Sequence, residues 1–271
     1  MPGIFSLHTT GDWNDSRYCS HMVAQSGMNL ALVPTRLRSS SLCDLAVKNN
    51  GMALSYVPEA LRTVGLCYEA VGSNGFALEF VPMRLRDHAL CMAAVRRTGY
   101  ALQYVPRQLL DADMVMAAVR RDGNALRMVP QEYRTREVCL AAVRTYGMAL
   151  GCLPEAERTH ELCLAAVTRD GGALSLVPMD LRSVDICRMA IRKAGHVLEY
   201  VPYELRSREL CEMAVRDTGT ALNHVPDMYL DVDICRIAYE TEPDIMHCIP
   251  EEIREVLESE EAGRARVCMS A

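Results

Sequence analysis

A Val-Pro pair returns every 24 residues along almost the whole chain, and this period restricts the fold more than any other feature. The pairs, with Leu or Ile replacing Val in two of them, are Val33-Pro34, Val57-Pro58, Val81-Pro82, Val105-Pro106, Val129-Pro130, Leu153-Pro154, Val177-Pro178, Val201-Pro202, Val225-Pro226 and Ile249-Pro250. No insertion interrupts the series. A unit of this length cannot bury its own apolar face, so neighbouring units must stack and share one core.

A cysteine keeps the same interval, and Val115 replaces it in the fifth unit. The row comprises Cys19, Cys43, Cys67, Cys91, Cys139, Cys163, Cys187, Cys211 and Cys235. Because valine can substitute, the position predicts a small buried hydrophobe. Stacked helices lie about 8–10 Å apart, too far for a disulfide or shared zinc ligation between equivalent cysteines. We therefore expect no metal or other cofactor, and a redox role only for Cys152, Cys248 or Cys268, which lie outside the row.

Each unit predicts one α-helix. An N-cap residue type stands four positions before the cysteine position, at Asp15, Ser39, Thr63, Asp87, Asp111, Thr135, Thr159, Ser183, Ser207 and Asp231. Apolar residues at helical spacing follow, as at Leu162 and Ala166, and predict a helix of about eleven residues. A glycine row then begins at Gly27 and is typical of left-handed C-caps.

The second half of each unit predicts shorter helical pieces. The proline disfavours helical geometry at the residue before it, and it can open one further turn. The sequence thus predicts an all-α fold, an α-solenoid with a right-handed superhelix over residues 15–254. Each of its ten repeats would contain one α-helix plus short helical or 3-10 turns. We expect residues 1–14 to form a non-repeat leader and residues 255–271 a capping helix and tail.

Net charge, hydropathy and the motifs present limit the classes of function open to the chain. The net charge of −6 gives no general attraction to nucleic acid or anionic lipid. No apolar run is long enough for a membrane span, and the first residues do not resemble a secretory signal, so the cysteines favour a reducing, cytoplasmic setting. No nucleophile with its base, paired carboxylates or phosphate loop occurs at motif spacing. We therefore expect no enzymatic activity and no catalytic residue.

The best candidate site is an apolar strip on the second helical piece. The residue after each glycine and the residue four positions later share one side, and these pairs are most apolar in three consecutive units. The strip consists of Met52, Tyr56, Phe76, Phe80, Tyr100 and Tyr104. One member of each pair would pack between layers under one interpretation. Under the other, the strip binds a protein or peptide partner, since aromatic residues dominate such contacts.

Two sets of arginines offer alternatives. One row follows the "PxxL" leucine at Arg38, Arg62, Arg86, Arg134, Arg158, Arg182, Arg206 and Arg254, with Leu110 and Leu230 as exceptions. We interpret this row as a ladder of local ion pairs and carbonyl contacts rather than a phosphate site. A basic patch of Arg96, Arg97, Arg120, Arg121 and Arg144 is the alternative, nucleic-acid-binding site, which the net charge and the lack of a base-stacking motif disfavour.

The unit AV-x-x-x-G-x-AL-x-x-V-P-x-x-LR resembles a bacterial and large-virus repeat family of unknown function. The resemblance implies an all-helical array, often carried by secreted bacterial effectors or viral proteins that act inside a eukaryotic cell, and no known catalytic residues. The unit is also similar in length to the leucine-rich repeat variant. The final Cys-Met-Ser-Ala places Cys268 where prenylation would, but Ser270 replaces the expected aliphatic residue, so a lipid anchor is only a minor alternative.

Overall fold

The computed structural model describes the backbone of residues 11–269 and the side chains of residues 11–260. Most of the expected leader and the side chain of Cys268 lie outside these residues. The described part is helical and contains no strand. Its α-helices are Ser16–Gln25 (α1), Ser40–Asn49 (α2), Val64–Ser73 (α3), His88–Arg97 (α4), Ala112–Arg121 (α5), Arg136–Thr145 (α6), His160–Arg169 (α7), Val184–Ile191 (α8), Arg208–Asp217 (α9), Val232–Thr241 (α10) and Glu251–Met269 (α11).

Each α-helix from α1 to α10 is followed by a 3-10 helix of six residues. These are Gly27–Leu32, Gly51–Tyr56, Gly75–Phe80, Gly99–Tyr104, Gly123–Met128, Gly147–Cys152, Gly171–Leu176, Gly195–Tyr200, Gly219–His224 and Pro243–Cys248. A single 3-10 turn follows the proline in the first nine repeats, at Thr35–Leu37, Glu59–Leu61, Met83–Leu85, Arg107–Leu109, Gln131–Tyr133, Glu155–Glu157, Met179–Leu181, Tyr203–Leu205 and Asp227–Tyr229. In the last repeat α11 begins directly after Pro250.

Helices pack against their neighbours in sequence. The chain divides into two compact units, with the boundary between Val138 and Cys139. In the first unit, α1 to α5 form one layer and their six-residue 3-10 helices form a second. In the second unit, α7 to α11 form one layer, and the six-residue 3-10 helices that follow α6 to α10 form the second. The predicted all-α repeat solenoid is confirmed.

The N-cap prediction holds in all ten repeats. The side chain of each predicted residue accepts a hydrogen bond from a backbone N–H in the first turn, as Ser39 Oγ does from Leu42 at 3.3 Å. Most of the helices are ten residues long, and α8 is eight. The helices therefore begin where the sequence places them.

The glycine prediction is wrong. Within the described residues no glycine has a positive φ, and α2 ends on Asn50 in extended geometry at φ −149° and ψ 113°. Glycine is needed instead because two backbone segments approach each other closely. A Cβ on Gly99 would lie 2.6 Å from the carbonyl oxygen of Ala118, in the next repeat. The row therefore marks where each 3-10 helix meets the backbone of the following α-helix.

The cysteine row fills the core as predicted. All nine row members are at most 5% exposed, and Val115 occupies the equivalent slot at 0%. Their neighbours on the same α-helices, such as Ala46 and Val47 in α2, are also buried. The thiol acts here as a small apolar side chain between alanine and valine in size.

Candidate functional site

The predicted strip lies on three consecutive six-residue 3-10 helices of the first unit. Each helix carries one pair of strip residues, and the three helices pack against one another in order. All six strip side chains are half-buried, including both members of every pair. Each side chain therefore keeps part of its surface exposed, and the binding role stays a prediction.

Local geometry explains this partial exposure. In the helix Gly51–Tyr56, Ala53 and Leu54 are completely buried and supply its share of the core. Met52 precedes this buried pair and Tyr56 follows it, so their side chains lie at its edges. The same arrangement recurs around Ala77 and Ala101 in the next two repeats. Core residues thus hold each pair at the surface.

Arginines of the ladder hold the backbone of the strip. Each lies between two repeats, since its guanidinium donates to carbonyl oxygens in its own repeat and in the next one. Arg62 donates from Nε to Val57 O at 2.9 Å and from Nη1 to Phe80 O at 2.6 Å. Arg38 and Arg86 bind Tyr56 O and Tyr104 O in the same way, at 2.6 and 2.7 Å. The carbonyl contacts expected for the ladder are confirmed.

Sequence reasoning missed this connection between the ladder and the strip. An arginine donates to the carbonyl oxygen of the residue 18 positions later, which in three repeats is a strip residue. The constant offset between the two rows is visible in the sequence. The acceptor is a backbone atom present in every residue, however, so no side-chain pattern points to it.

A carboxylate lies at one end of the strip. Burial and the neighbouring Glu79 carboxylate raise the pKa of Tyr104 above its ordinary value. This end of the strip therefore combines an aromatic ring with a negative charge, and a partner with a cationic group beside an apolar one would complement both.

The basic patch serves the fold in part. Arg97 and Arg121 end α4 and α5, and their Nε atoms donate to Ser73 O and Arg97 O of the preceding repeats, both at 3.2 Å. Arg96 and Arg120, one position earlier in each helix, are exposed. Arg144 is exposed near the end of α6, in the second unit. Cations are favoured at helix C-termini, so this position alone accounts for much of the pattern.

The core thiols are poorly suited to chemistry. Burial raises the pKa of Cys91, Cys163, Cys187, Cys211 and Cys235 to about 11, against an ordinary value of 9.0. The thiolate is the reactive form, so these groups react slowly near neutral pH. Cys152 and Cys248 lie outside the row and are half-buried. Among residues 11–260, no three His, Cys, Asp or Glu side chains form a cluster that could hold a metal ion.

Comparisons with known proteins point to one repeat family. A family model described as "Domain of unknown function (DUF4116)" matches residues 65–110, 111–156 and 160–206, which together make up about half of the chain. Each matched segment is about as long as two of the 24-residue units. Neither the comparison with curated proteins nor the comparison with solved structures gives a match. Over the described backbone, no helix has the length and apolar character of a membrane span.

Proposed function

Since the chain belongs to the DUF4116 family, a repeat family of unknown function, we propose that it acts through its surface, as a non-enzymatic scaffold. It binds a protein or peptide along the strip formed by Met52, Tyr56, Phe76, Phe80, Tyr100 and Tyr104. One observation carries this proposal: six half-exposed apolar and aromatic side chains follow one another on three packed 3-10 helices.

The rigidity of the strip supports its use in binding. The backbone carbonyls of Tyr56, Phe80 and Tyr104 are held by Arg38, Arg62 and Arg86, respectively, so the strip needs little ordering when a partner arrives. Preorganised surfaces lose less conformational entropy on association. Aromatic side chains add large contact areas with few rotatable bonds, which is why they dominate binding energy at interfaces.

The test is a quantitative pull-down with the wild type and the double variant Phe76→Ala/Tyr104→Ala. Each substitution should weaken a partner held by the strip by about 2 kcal/mol, so its recovery should fall strongly. The matched control, His196→Ala/Tyr200→Ala, changes the same two register positions in the second unit and should leave recovery unchanged. Tyr104→Phe, which keeps the ring, should retain most of the binding.

The outcome separates a binding surface from a structural one. Circular dichroism and thermal unfolding of the variants establish that the helices still form. If folded Phe76→Ala/Tyr104→Ala recovers every partner as well as the wild type does, the strip is not the binding site.

We place this scaffold in a reducing compartment, and the cytoplasm of a host cell is the setting that an effector or viral protein would occupy. The support is the cysteine row, which fills apolar slots as reduced thiols. Fractionation of cells that express the protein with a C-terminal tag tests the location. Recovery mainly in a membrane or secreted fraction would contradict it.

Nucleic-acid binding through the arginine patch is the competing function. Exposed Arg96 and Arg120 favour it, because guanidinium groups pair with phosphates. Arg97 and Arg121 are already engaged with carbonyls, which weakens it. Gel shifts with duplex and single-stranded probes at low salt decide between the two functions. Salt-sensitive binding that Arg96→Ala/Arg120→Ala removes would favour nucleic acid, and no shift at low salt would exclude it.

A further inference from the structure

The most exposed large hydrophobic side chains lie on the turns that follow the prolines, away from the strip. Met179, Tyr203 and Met228 are 61%, 60% and 76% exposed and lie on the short 3-10 turns of three consecutive repeats in the second unit. Met83 is 60% exposed on the equivalent turn of the first unit. No other large hydrophobic side chain in the described part of the chain is more than half exposed. The largest apolar exposure is thus concentrated on one kind of element, the short turn after the proline, at its first residue in three repeats and at its second residue, Met228, in the fourth.

The fold does not need these side chains to be apolar. The half-buried residues of the same turns are Leu181, Leu205 and Tyr229, which follow one or two positions later. The position of Met179 and Tyr203 is occupied in other repeats by Thr35, Glu59, Arg107, Gln131 and Glu155. Since polar residues serve equally well there, the apolar residues of the second unit call for an explanation outside the core.

Each of the three carries an acidic neighbour. Asp180 follows Met179, Glu204 follows Tyr203, and Asp227 precedes Met228; all three acids are exposed. Within the described residues none of these acids takes part in an ion pair. Their charges therefore remain available to a partner.

We propose that this acidic turn row, formed by Met179, Asp180, Tyr203, Glu204, Asp227 and Met228, binds a basic segment of a partner protein that also carries apolar residues. The occupant is basic because the row presents one uncompensated carboxylate in each repeat, and complementary charge fixes register and raises the association rate. It carries apolar residues because the row presents one large hydrophobic side chain beside each carboxylate. This surface is independent of the strip, which lies in the first unit.

The spacing of the row favours an extended partner. Packed helical layers are about 8–10 Å apart, so successive hydrophobic residues of the row should be separated by about that distance. A polyproline-type segment advances about 9 Å in three residues and places every third side chain on one face. If the partner has one apolar residue in every three, with basic residues between them, each turn of its polyproline helix would face one repeat of the row.

Tyr203, at the centre of the row, is held in position. The guanidinium carbon of Arg206 lies 6.0 Å from the centroid of the Tyr203 ring, at the limit of a cation–π contact. Arg206 is itself fixed by donating to Val201 O at 3.0 Å and His224 O at 2.7 Å. The ring therefore rests against a side chain that two repeats hold in place, which suits an anchoring contact.

The test measures fluorescence anisotropy with the full chain and two labelled peptides. One consists of four Lys-Pro-Leu triplets, and the other has Ser in place of Leu and so has the same charge. The Leu peptide should bind at least roughly tenfold more tightly than the Ser peptide. Met179→Ser/Tyr203→Ser/Met228→Ser should remove this difference, because it removes only the apolar contacts.

Charge variants distinguish binding to the carboxylates of the row from attraction to the overall negative charge of the protein. Asp180→Asn/Glu204→Gln/Asp227→Asn should weaken binding of the Leu peptide by roughly tenfold and flatten its salt dependence. The matched control Asp244→Asn/Glu255→Gln/Glu258→Gln removes the same number of charges from exposed positions outside the row and should change affinity by less than about twofold. Because all the substituted residues of the row are exposed, thermal unfolding should be unchanged in every variant.

Two results would overturn the proposal. Equal affinity of the wild type for the two peptides, unchanged in the row variants, would show that only overall charge is recognised. A second copy of this chain is the other occupant to consider. Sedimentation velocity that shows a wild-type dimer, lost in Met179→Ser/Tyr203→Ser/Met228→Ser, would assign the row to self-association instead.

Discussion

Two junctions between repeats are built differently. Between the seventh and eighth repeats, Arg182 donates from Nε to Val177 O at 2.9 Å and from Nη1 to Tyr200 O at 2.5 Å. Between the fourth and fifth repeats, Leu110 occupies the arginine position. There His88 Nε2 lies 2.7 Å from Oδ2 of the N-cap residue Asp111.

The same replacement occurs at the other leucine of the ladder. Leu230 stands in place of an arginine, and Arg208 Nη1 donates to Oδ2 of the N-cap Asp231 at 2.6 Å. His88 and Arg208 are equivalent positions five repeats apart. A junction can therefore be bridged through carbonyls by the arginine or through the N-cap carboxylate by the side chain at the position of His88 and Arg208. What does not differ is the glycine contact, so we infer that the backbone sets the layer spacing and the side chains add to its stability.

The largest effect should come from the contact that both junctions share. Gly99 and Gly171 lie at the leucine and arginine junctions, and a Cβ on either would be 2.6 Å from a carbonyl oxygen of the next α-helix, Ala118 O or Ala190 O. Gly99→Ala and Gly171→Ala should each lower the free energy of unfolding by about 3 kcal/mol, because a backbone atom must shift. Urea denaturation measures both.

A third glycine provides the control. A Cβ on Gly72 would meet nothing within 4 Å, and this residue lies in α3. Gly72→Ala should be neutral or stabilising by up to about 1 kcal/mol, as alanine favours helix. If Gly99→Ala and Gly171→Ala differed widely, the spacing would depend on the side-chain bridge and the comparison would fail.

Removing the bridge should cost less. Arg182→Leu converts an arginine junction into a leucine one and leaves the oxygens of Val177 and Tyr200 without these donors. We expect the free energy of unfolding to fall by about 2 kcal/mol. Arg192→Leu, at an exposed arginine just after α8, is the matched control and should change stability by less than about 0.5 kcal/mol. Equal effects of the two variants would show that the Arg182 bridge contributes no more than a surface charge.

The sequence predicts the period, the ten helix starts and the core thiols, because each depends on the side-chain type at a fixed position. Ser39 is recognisable as an N-cap and Cys43 as a small core residue without knowledge of the neighbours. Gly99 is different: a glycine after a helix looks the same whether it adopts a positive φ or makes a close backbone contact. In the structure Gly99 makes the close backbone contact and has no positive φ. That contact involves Ala118 of the next repeat, so it could not be recognised from Gly99 alone.

In the candidate sites, too, the side-chain types were predictable from the sequence, and the contacts with neighbouring repeats were not. The position of Phe76 and Tyr104 along the repeat was predictable, but their half-burial depends on how tightly the 3-10 helices pack. The arginine ladder was visible, whereas its acceptor at Tyr104 O was not, since a carbonyl carries no sequence signal. The exposure of Met179 carries no sequence signal, since the same repeat position holds Glu59 or Arg107 in other repeats and a methionine there could equally be a core residue.

The reverse substitution should give a smaller effect. Leu110→Arg introduces an arginine at a junction where the carbonyls of Val105 and Met128 occupy the acceptor positions used elsewhere in the ladder. We expect a gain of about 1 kcal/mol in the free energy of unfolding, the net value of a typical hydrogen bond. Leu110→Lys, which adds the charge without the planar fork, should gain less. Destabilisation by Leu110→Arg would mean that the leucine junction has a backbone geometry that cannot accept the bridge.

The smallest effect should come from the pair that His88 and Asp111 form at the leucine junction. The N–H of Met114 donates to Asp111, and this bond together with His88 lowers the pKa of Asp111 below its ordinary value of 3.8. A lowered pKa stabilises the fold above pH 3.8 and loses that effect as pH falls through the folded-state value. Asp111→Asn keeps an N-cap without the charge, so it should cost about 0.5 kcal/mol at pH 7 and less at pH 2.5. Urea denaturation at both pH values checks this, and Ser183→Asn, an N-cap change at the arginine junction, should show no such pH dependence. A pH-independent cost for Asp111→Asn would assign its role to capping alone and leave the leucine junction without an electrostatic bridge.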